Sequence, residues 1–186
     1  SQETATAFGI HAYYPNVTGP ADQVLPRARA AAQAGAGGIL VCPSLVGLDT
    51  MRLIAEDDSI GLPVMAHPAF GGSYVASPDS GFSHGALYGT LTRLAGADST
   101  VYPNWGGRFS FSREECASIA AATAAPLGHL RSSFPAPGGG MTTDRARDML
   151  EVYGRDFLVL IGGGLHRRGP DLSDNCRYFV SLLEGM

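Results

Sequence analysis

Two glycine triplets, Gly138–Gly140 and Gly162–Gly164, are the strongest chemical signal in the chain. Consecutive glycines let backbone N–H groups approach an anion with no Cβ in the way. Each triplet leads toward a helical pattern, and a helix N-terminus favours negative charge. Together they predict a phosphate site built from the N–H groups of Gly139, Gly140, Gly162, Gly163 and Gly164. His67 closes an apolar run and is followed by Pro68 and the loop Phe70-Gly71-Gly72-Ser73. A neutral imidazole there would carry protons; the alternative is a histidine that merely hydrogen-bonds the end of a strand. Asn16 and Asn104 also close apolar runs and could orient a polar substrate. His166, Arg167 and Arg168 follow the last triplet, either as extra charge near a phosphate or as a solvated loop.

Several chemistries are excluded or disfavoured. All 13 basic residues are Arg, so this chain can form no Schiff base, carbamylated lysine or P-loop lysine contact. Arg stays protonated and is a poor nucleophile. Cys42, Cys116 and Cys176 are odd in number, far apart and without a CxxC pair, which speaks against a zinc knuckle or disulfide framework and for reduced thiols in the cytoplasm. A net charge of -4 offers no basic field for nucleic acid or an anionic membrane. There is no long apolar span and no signal-peptide pattern. Gly81-Phe82-Ser83-His84-Gly85 spells the G-x-S-x-G of serine hydrolases, with Asp144 or Asp156 and then His166 downstream. That elbow must leave a buried strand directly. Here a polar loop precedes it, so Ser83 reads as a helix cap. No HxH or HExxH occurs, and the sequence offers no complete metal site.

These residues must be positioned by a repeating frame. Apolar runs ending in Gly, Pro, Asn or His alternate with amphipathic stretches, which is βα repetition and predicts a parallel sheet. Six strands are expected: Ala7–Tyr14, Gly38–Cys42, Leu62–Ala66, Ser99–Tyr102, a weak one at His129–Phe134, and the clearest at Phe157–Ile161. Helices are expected at Ala21–Ala34, despite Pro26, and around Leu48–Ala55. Another is expected at Ser83–Leu94, with Leu87, Leu91 and Leu94 on one face and Gly96 as its stop. One more follows a capping box of Ser112 and Glu115. Thr142 or Thr143 would cap the next. The last, from Leu172 to Leu183, would bury Leu172, Cys176, Phe179, Val180 and Leu183. Two architectures fit: an open doubly wound sheet, or a barrel lacking two units. Two glycine loops after adjacent terminal strands match the phosphate site that barrels build after strands seven and eight.

Five segments occur in a recognisable order: Tyr14-Pro15-Asn16-Val17-Thr18-Gly19, Ala66-His67-Pro68-Ala69-Phe70, Leu94-Ala95-Gly96-Ala97-Asp98, Tyr102-Pro103-Asn104-Trp105-Gly106-Gly107-Arg108-Phe109 and Ile161-Gly162-Gly163-Gly164. As a set they resemble the C-terminal barrel of the RuBisCO-like proteins, relatives of the RuBisCO large chain. The resemblance spans essentially the whole chain. It implies an α/β (β/α)₈ TIM-type barrel, present here as the last six βα units, strands three to eight. The N-terminal α+β domain and the first two barrel strands would be absent from the chain, and with them the family's catalytic lysine and magnesium ligands.

The resemblance also implies chemistry. Carboxylases have an Arg where Pro68 follows His67, a lysine on the mobile loop nearest Arg108, and a second histidine near Val101. These departures suit a substrate with one phosphate rather than carboxylation of a bisphosphate. The expected protein is a magnesium-dependent enzyme that decarboxylates or isomerises a phosphorylated sugar or sugar acid through an enediolate. His67 would contact substrate oxygens, Asn16 and Asn104 would orient it, and Arg108 would meet it from a lid loop. A homodimer or higher oligomer in the cytoplasm is expected. Alternatives are a true carboxylase, an inactive or partner-completed phosphate-binding fragment, and a hydrolase using Ser83.

Overall fold

The structure is a computed structural model and describes residues 12–77, 79–107 and 111–184. Its frame is a parallel sheet of β1 (Ile39–Val41), β2 (Val64–Ala66), β3 (Ser99–Pro103) and β4 (Phe134–Gly138), neighbours in chain order. Ile39 pairs with Val64, Met65 with Ser99, and Ser99 with Phe134. Two parallel bridges extend the arc: Asn16 to Leu40 at one edge and Gly138 to Leu160 at the other. The order never reverses. A doubly wound sheet requires a reversal at its switch point, so the topology is an arc of a singly wound barrel.

The helices form the outer layer: α1 (Ala21–Gln33), α2 (Pro43–Val46), α3 (Leu48–Ala55), α4 (Thr92–Leu94), α5 (Arg113–Ala124), α6 (Ala146–Tyr153), α7 (Gly163–Arg168) and α8 (Leu172–Glu184). Alternate strand residues face this layer. Ile39, Val41, Val64 and Ala66 pack with Val24, Met51 and Ile54 in one cluster. Tyr102 packs with Cys116, Ile119, Met149 and Tyr153 in a second. Such strands, covered by helices, are nearly all apolar.

Several sequence expectations shift for physical reasons. Residues 7–11 of the first run lie outside the described residues, and residues 12–14 form no strand; pairing survives at Asn16 and in the Val17 N–H to Leu40 O bond of 2.9 Å. The fifth strand is Phe134–Gly138, not His129–Phe134. Its Pro135 and Pro137 disguise it, because proline is rare inside sheets. In a parallel strand each residue's N–H and C=O face the same neighbour. Pro135 O accepts from Leu158 N–H at 2.9 Å, while Phe134 N–H and Gly138 O serve the β3 side. The prolines thus withhold their missing N–H groups from the sixth run alone. That run, Phe157–Ile161, expected as the clearest strand, is reduced to the bridge at Leu160.

The helix expected at Ser83–Leu94 is a π-helix over Gly85–Leu91 followed by α4. Its wider turn rotates the apolar face: Tyr88 is buried and Leu94 is exposed. Gly85 and Gly89 lie against the backbone of Ser118 and Ile119 on α5, where a Cβ would come within 2.8 and 3.2 Å. The Ser112–Glu115 capping box forms as expected. On α8, Phe179 is buried, but Leu172, Cys176 and Val180 face outward. α1 carries Pro26 without a break.

Candidate active site

The loops after β3 and β4 and the turn into α7 meet at the C-terminal end of the sheet. Gly139 and Gly140 have φ of 81° and 66°, the left-handed region that glycine reaches at little cost. Gly140 lies so close to the β3 loop that a Cβ there would come 2.6 Å from Gly107 Cα. A Cβ on Gly164 would come 2.4 Å from Met141 O. The second triplet therefore abuts the residue that follows the first, Met141, and Gly107 lies against the first. Gly162 and Gly163 stand more open: nothing lies within 4 Å of a Cβ on the former, and only the Arg167 guanidinium meets one on the latter. Gly140→Ala should destabilise the fold by about 2–4 kcal/mol, from a left-handed backbone plus a clash against main chain that cannot rotate aside. Chemical denaturation measures this; a loss below 1 kcal/mol would refute the close packing of these loops.

Beside the first glycine triplet lies a cavity of about 370 Å³ lined by Pro68, Val101, Pro103, Gly107, Gly139, Gly140 and Leu160, and by no residue of the second triplet. A second, of about 300 Å³, is lined mainly by apolar groups, among them Leu48, Phe82, Leu87, Tyr88 and Leu91, and by His67. Val101 lines both, and His67 and Pro68 stand next to each other between them. Two mostly apolar compartments, one of them walled in part by glycine, therefore adjoin at His67-Pro68.

His67 is half-buried, and its N–H donates to Val41 O at 2.8 Å. Its Nδ1 accepts from the Ala69 N–H at 3.2 Å. The neutral ring therefore carries its proton on Nε2 and offers it as a donor. Burial holds the imidazole below its ordinary 6.5. A nitrogen-15 titration of this ring should show an Nε2–H tautomer and a midpoint below 6.5. Because the folded value is depressed, neutral His67 contributes stability above 6.5, and that contribution is lost as pH falls through the folded value. A midpoint above 6.5 would contradict the desolvated setting.

Both asparagines hold partners within the chain. Asn104 turns into the core, 1% exposed. Its Oδ1 accepts from Tyr153 Oη at 2.9 Å, and its Nδ2 faces the sulfurs of Met141 and Met149. Burial pushes the Tyr153 phenol up, so it stays a donor. Asn104 therefore braces the β3 loop while lining the glycine-walled cavity. Asn16 sits at the opposite edge of the sheet from Leu160; its Oδ1 accepts from Thr18 N–H at 3.0 Å, and the residue is exposed. Arg108 lies outside the described residues.

Ser83 has no elbow. It follows a loop and a 3₁₀ turn, Gly71–Tyr74, rather than a strand, and its Oγ accepts from Ala86 N–H at 3.3 Å. It shares a cavity with His84 and Glu115 but with none of Asp144, Asp156 and His166.

Sequence reasoning missed Arg145. Its Nη1 donates to Trp105 O at 3.0 Å and Gly140 O at 3.3 Å. The available signal was its place at the start of a helix, where a cation opposes the helix dipole.

No family model matches the chain. Curated relatives do. The chain is 36% identical over 174 residues to a 5-methylthioribulose-1-phosphate isomerase of Rhodospirillum rubrum, covering 93% of this chain and 44% of that protein. It is 38% identical over 154 residues to a 2,3-diketo-5-methylthiopentyl-1-phosphate enolase of Bacillus cytotoxicus, covering 83% and 37%. The crystal structure of a RuBisCO-like protein from Alicyclobacillus acidocaldarius superposes with a TM-score of 0.88 at 31% identity, over 97% of this chain and 46% of that one. The chain is a RuBisCO-like C-terminal barrel portion. It spans about half the length, or less, of these relatives. The parallel arc of this RuBisCO-like portion is thus part of a TIM-type barrel, as the sequence led one to expect. Among its described residues no three of His, Cys, Asp and Glu gather as metal ligands, so they do not by themselves fit magnesium. Among them, too, no helix is long and apolar enough to cross a membrane.

Proposed function

We propose that this chain carries the phosphate-binding half of a non-carboxylating RuBisCO-like enzyme. Its substrate would be a sugar or sugar acid with a single phosphate, enolised on the way to isomerisation or decarboxylation. The observation that carries the reading is the junction at His67-Pro68 of two mostly apolar cavities, one of them walled in part by glycine. Gly139, Gly140, Gly162, Gly163 and Gly164 would bind the phosphate through backbone N–H groups. His67, neutral and protonated on Nε2, would donate to the substrate oxygen on which enediolate charge develops. The apolar cavity would exclude water and seat the end of the substrate that bears no phosphate. A thioether tail, as in the substrates named for the two relatives, suits it.

Bound magnesium would stabilise the enediolate, with protein ligands outside the described residues. Asn16, exposed at the far edge, keeps its amide nitrogen for a polar contact. Asn104 is assigned a bracing role. The N-terminal α+β domain and the first two barrel strands, proposed to complete the enzyme, would close the two edges of the arc. A homodimer or higher oligomer in the cytoplasm is proposed as well; the outward stripe of Leu172 and Val180 supports an interface there. Among the described residues no further strand pairs beyond the bridges at Asn16 and Leu160, which also favours a second reading, a phosphate-binding module completed by a separate chain.

Carboxylation of a bisphosphate is disfavoured because, by the resemblance, Pro68 and a position near Val101 stand where carboxylases carry an Arg and a second histidine. Calorimetry with 5-methylthioribulose 1-phosphate and ribulose 1,5-bisphosphate decides. The monophosphate should bind at least about tenfold more tightly, a difference of about 1.4 kcal/mol. Preference for the bisphosphate would overturn the one-phosphate reading.

A further inference from the structure

Arg145 stands outside every role assigned so far, yet it touches two of the converging loops at once. Its guanidinium lies 5.2 Å from the centre of the Trp105 ring and donates to the carbonyls of Trp105 and Gly140. It also flanks Gly106, where a Cβ would come 3.1 Å from Nη1. On its other side Trp105 leans on Tyr153, with ring centres 5.5 Å apart, and Tyr153 holds Asn104. The residue is half-buried.

We infer that Arg145 is a positioning residue that locks the β3 loop to the first glycine loop and so presets the phosphate site. The inference rests on the phosphate reading above. Two carbonyls pinned to one rigid guanidinium fix the planes of the peptides that follow them, Trp105–Gly106 and Gly140–Met141. With those planes fixed, the β3 loop and the first glycine loop that flank the proposed site hold one arrangement before the anion arrives, and less ordering remains to be done on binding. A planar guanidinium can stack on an indole and still donate in its own plane to two acceptors. An ammonium is a point donor on a flexible stem and does one or the other. Lys is therefore a poor substitute although it keeps the charge.

Trp105 is the single tryptophan of the chain, so its emission reports on this clamp without a label. The full chain is compared with Arg145→Gln and Arg145→Lys by tryptophan emission, by calorimetric titration with inorganic phosphate, and by amide exchange at Gly106 and Met141. Arg145→Gln should shift the emission, speed exchange at both amides and weaken phosphate binding about tenfold. Arg145→Lys should recover less than half of that affinity, because charge alone is not the device. Full recovery by Lys would reduce Arg145 to a nearby cation and overturn the clamp. Unchanged emission and exchange in Arg145→Gln would overturn it too, as would altered emission with unchanged phosphate affinity. A wild-type chain that binds no phosphate would sink the phosphate reading instead. The clamp would then stand or fall on whether Arg145→Gln speeds exchange at Gly106 and Met141 together.

Discussion

Gly163→Asp is expected to lower phosphate-ester affinity by about 100-fold or more while the circular dichroism spectrum stays that of the parent. The backbone at Gly163 is not in the left-handed region, and a Cβ there would meet only the mobile end of Arg167, at 3.3 Å. The side chain therefore fits. Its carboxylate would stand against a bound dianion at roughly 4 Å. Like charges at that range cost about 4 kcal/mol near a protein surface, more than enough for a 100-fold loss. Pairing with Arg167 would soften this repulsion but would also take that cation from the phosphate. Unchanged affinity in calorimetry would remove Gly163, and with it the second triplet, from the proposed site. Gly140→Ala cannot serve here, because its clash with Gly107 confounds folding with binding.

The largest loss of stability should come from Arg93, far from the glycines. It is 4% exposed, and its guanidinium donates to Arg131 O at 2.6 Å, Ala125 O at 2.5 Å and Leu130 O at 2.7 Å. Ala125 ends α5, where carbonyls lack intrahelical partners and the helix dipole favours a cation. One side chain thus satisfies three main-chain acceptors in the connection that leads into β4. Arg93→Met would fill much of the volume and leave those carbonyls unpaired, at about 1–3 kcal/mol each. The expected loss is roughly 3–5 kcal/mol, and for a chain of this size each kcal/mol lowers Tm by about 2–4 °C. A drop of less than about 3 °C in Tm would mean that water or other groups replace the guanidinium. Because β4 presents Gly139 and Gly140, the variant should also lose phosphate affinity.

The rhythm of the fold was legible because glycine, proline and capping residues punctuate it locally. Gly96, with φ of 86°, ends its helix where the sequence places the stop, and Ser112 with Glu115 opens α5. What misled was nonlocal. Pro135 and Pro137 look forbidding in a strand until one knows which neighbour their missing N–H groups would have faced. No local pattern announces a π-helix at Gly85–Leu91; its pitch follows from Gly85 and Gly89 packing on α5. At the site, the triplets were legible because glycine's conformational freedom is a property of single residues. The contact of Gly164 with Met141 is not, since it joins two loops. The bracing contact of Asn104 was hidden for a related reason: a polar residue at a strand end reads as a ligand contact, while its partner Tyr153 lies 49 residues away. Arg145 and Arg93 likewise act on carbonyls far along the chain, beyond any spacing rule.

The proposal on which the function rests is that the two glycine loops together bind a phosphate group. It is tested most directly by titrating the nitrogen-15-labelled chain with inorganic phosphate and following backbone amide resonances. The amides of Gly139, Gly140, Gly162, Gly163 and Gly164 should shift together along one saturable curve. Shifts that scatter over the surface without saturating, or that leave both triplets unmoved, would contradict the claim.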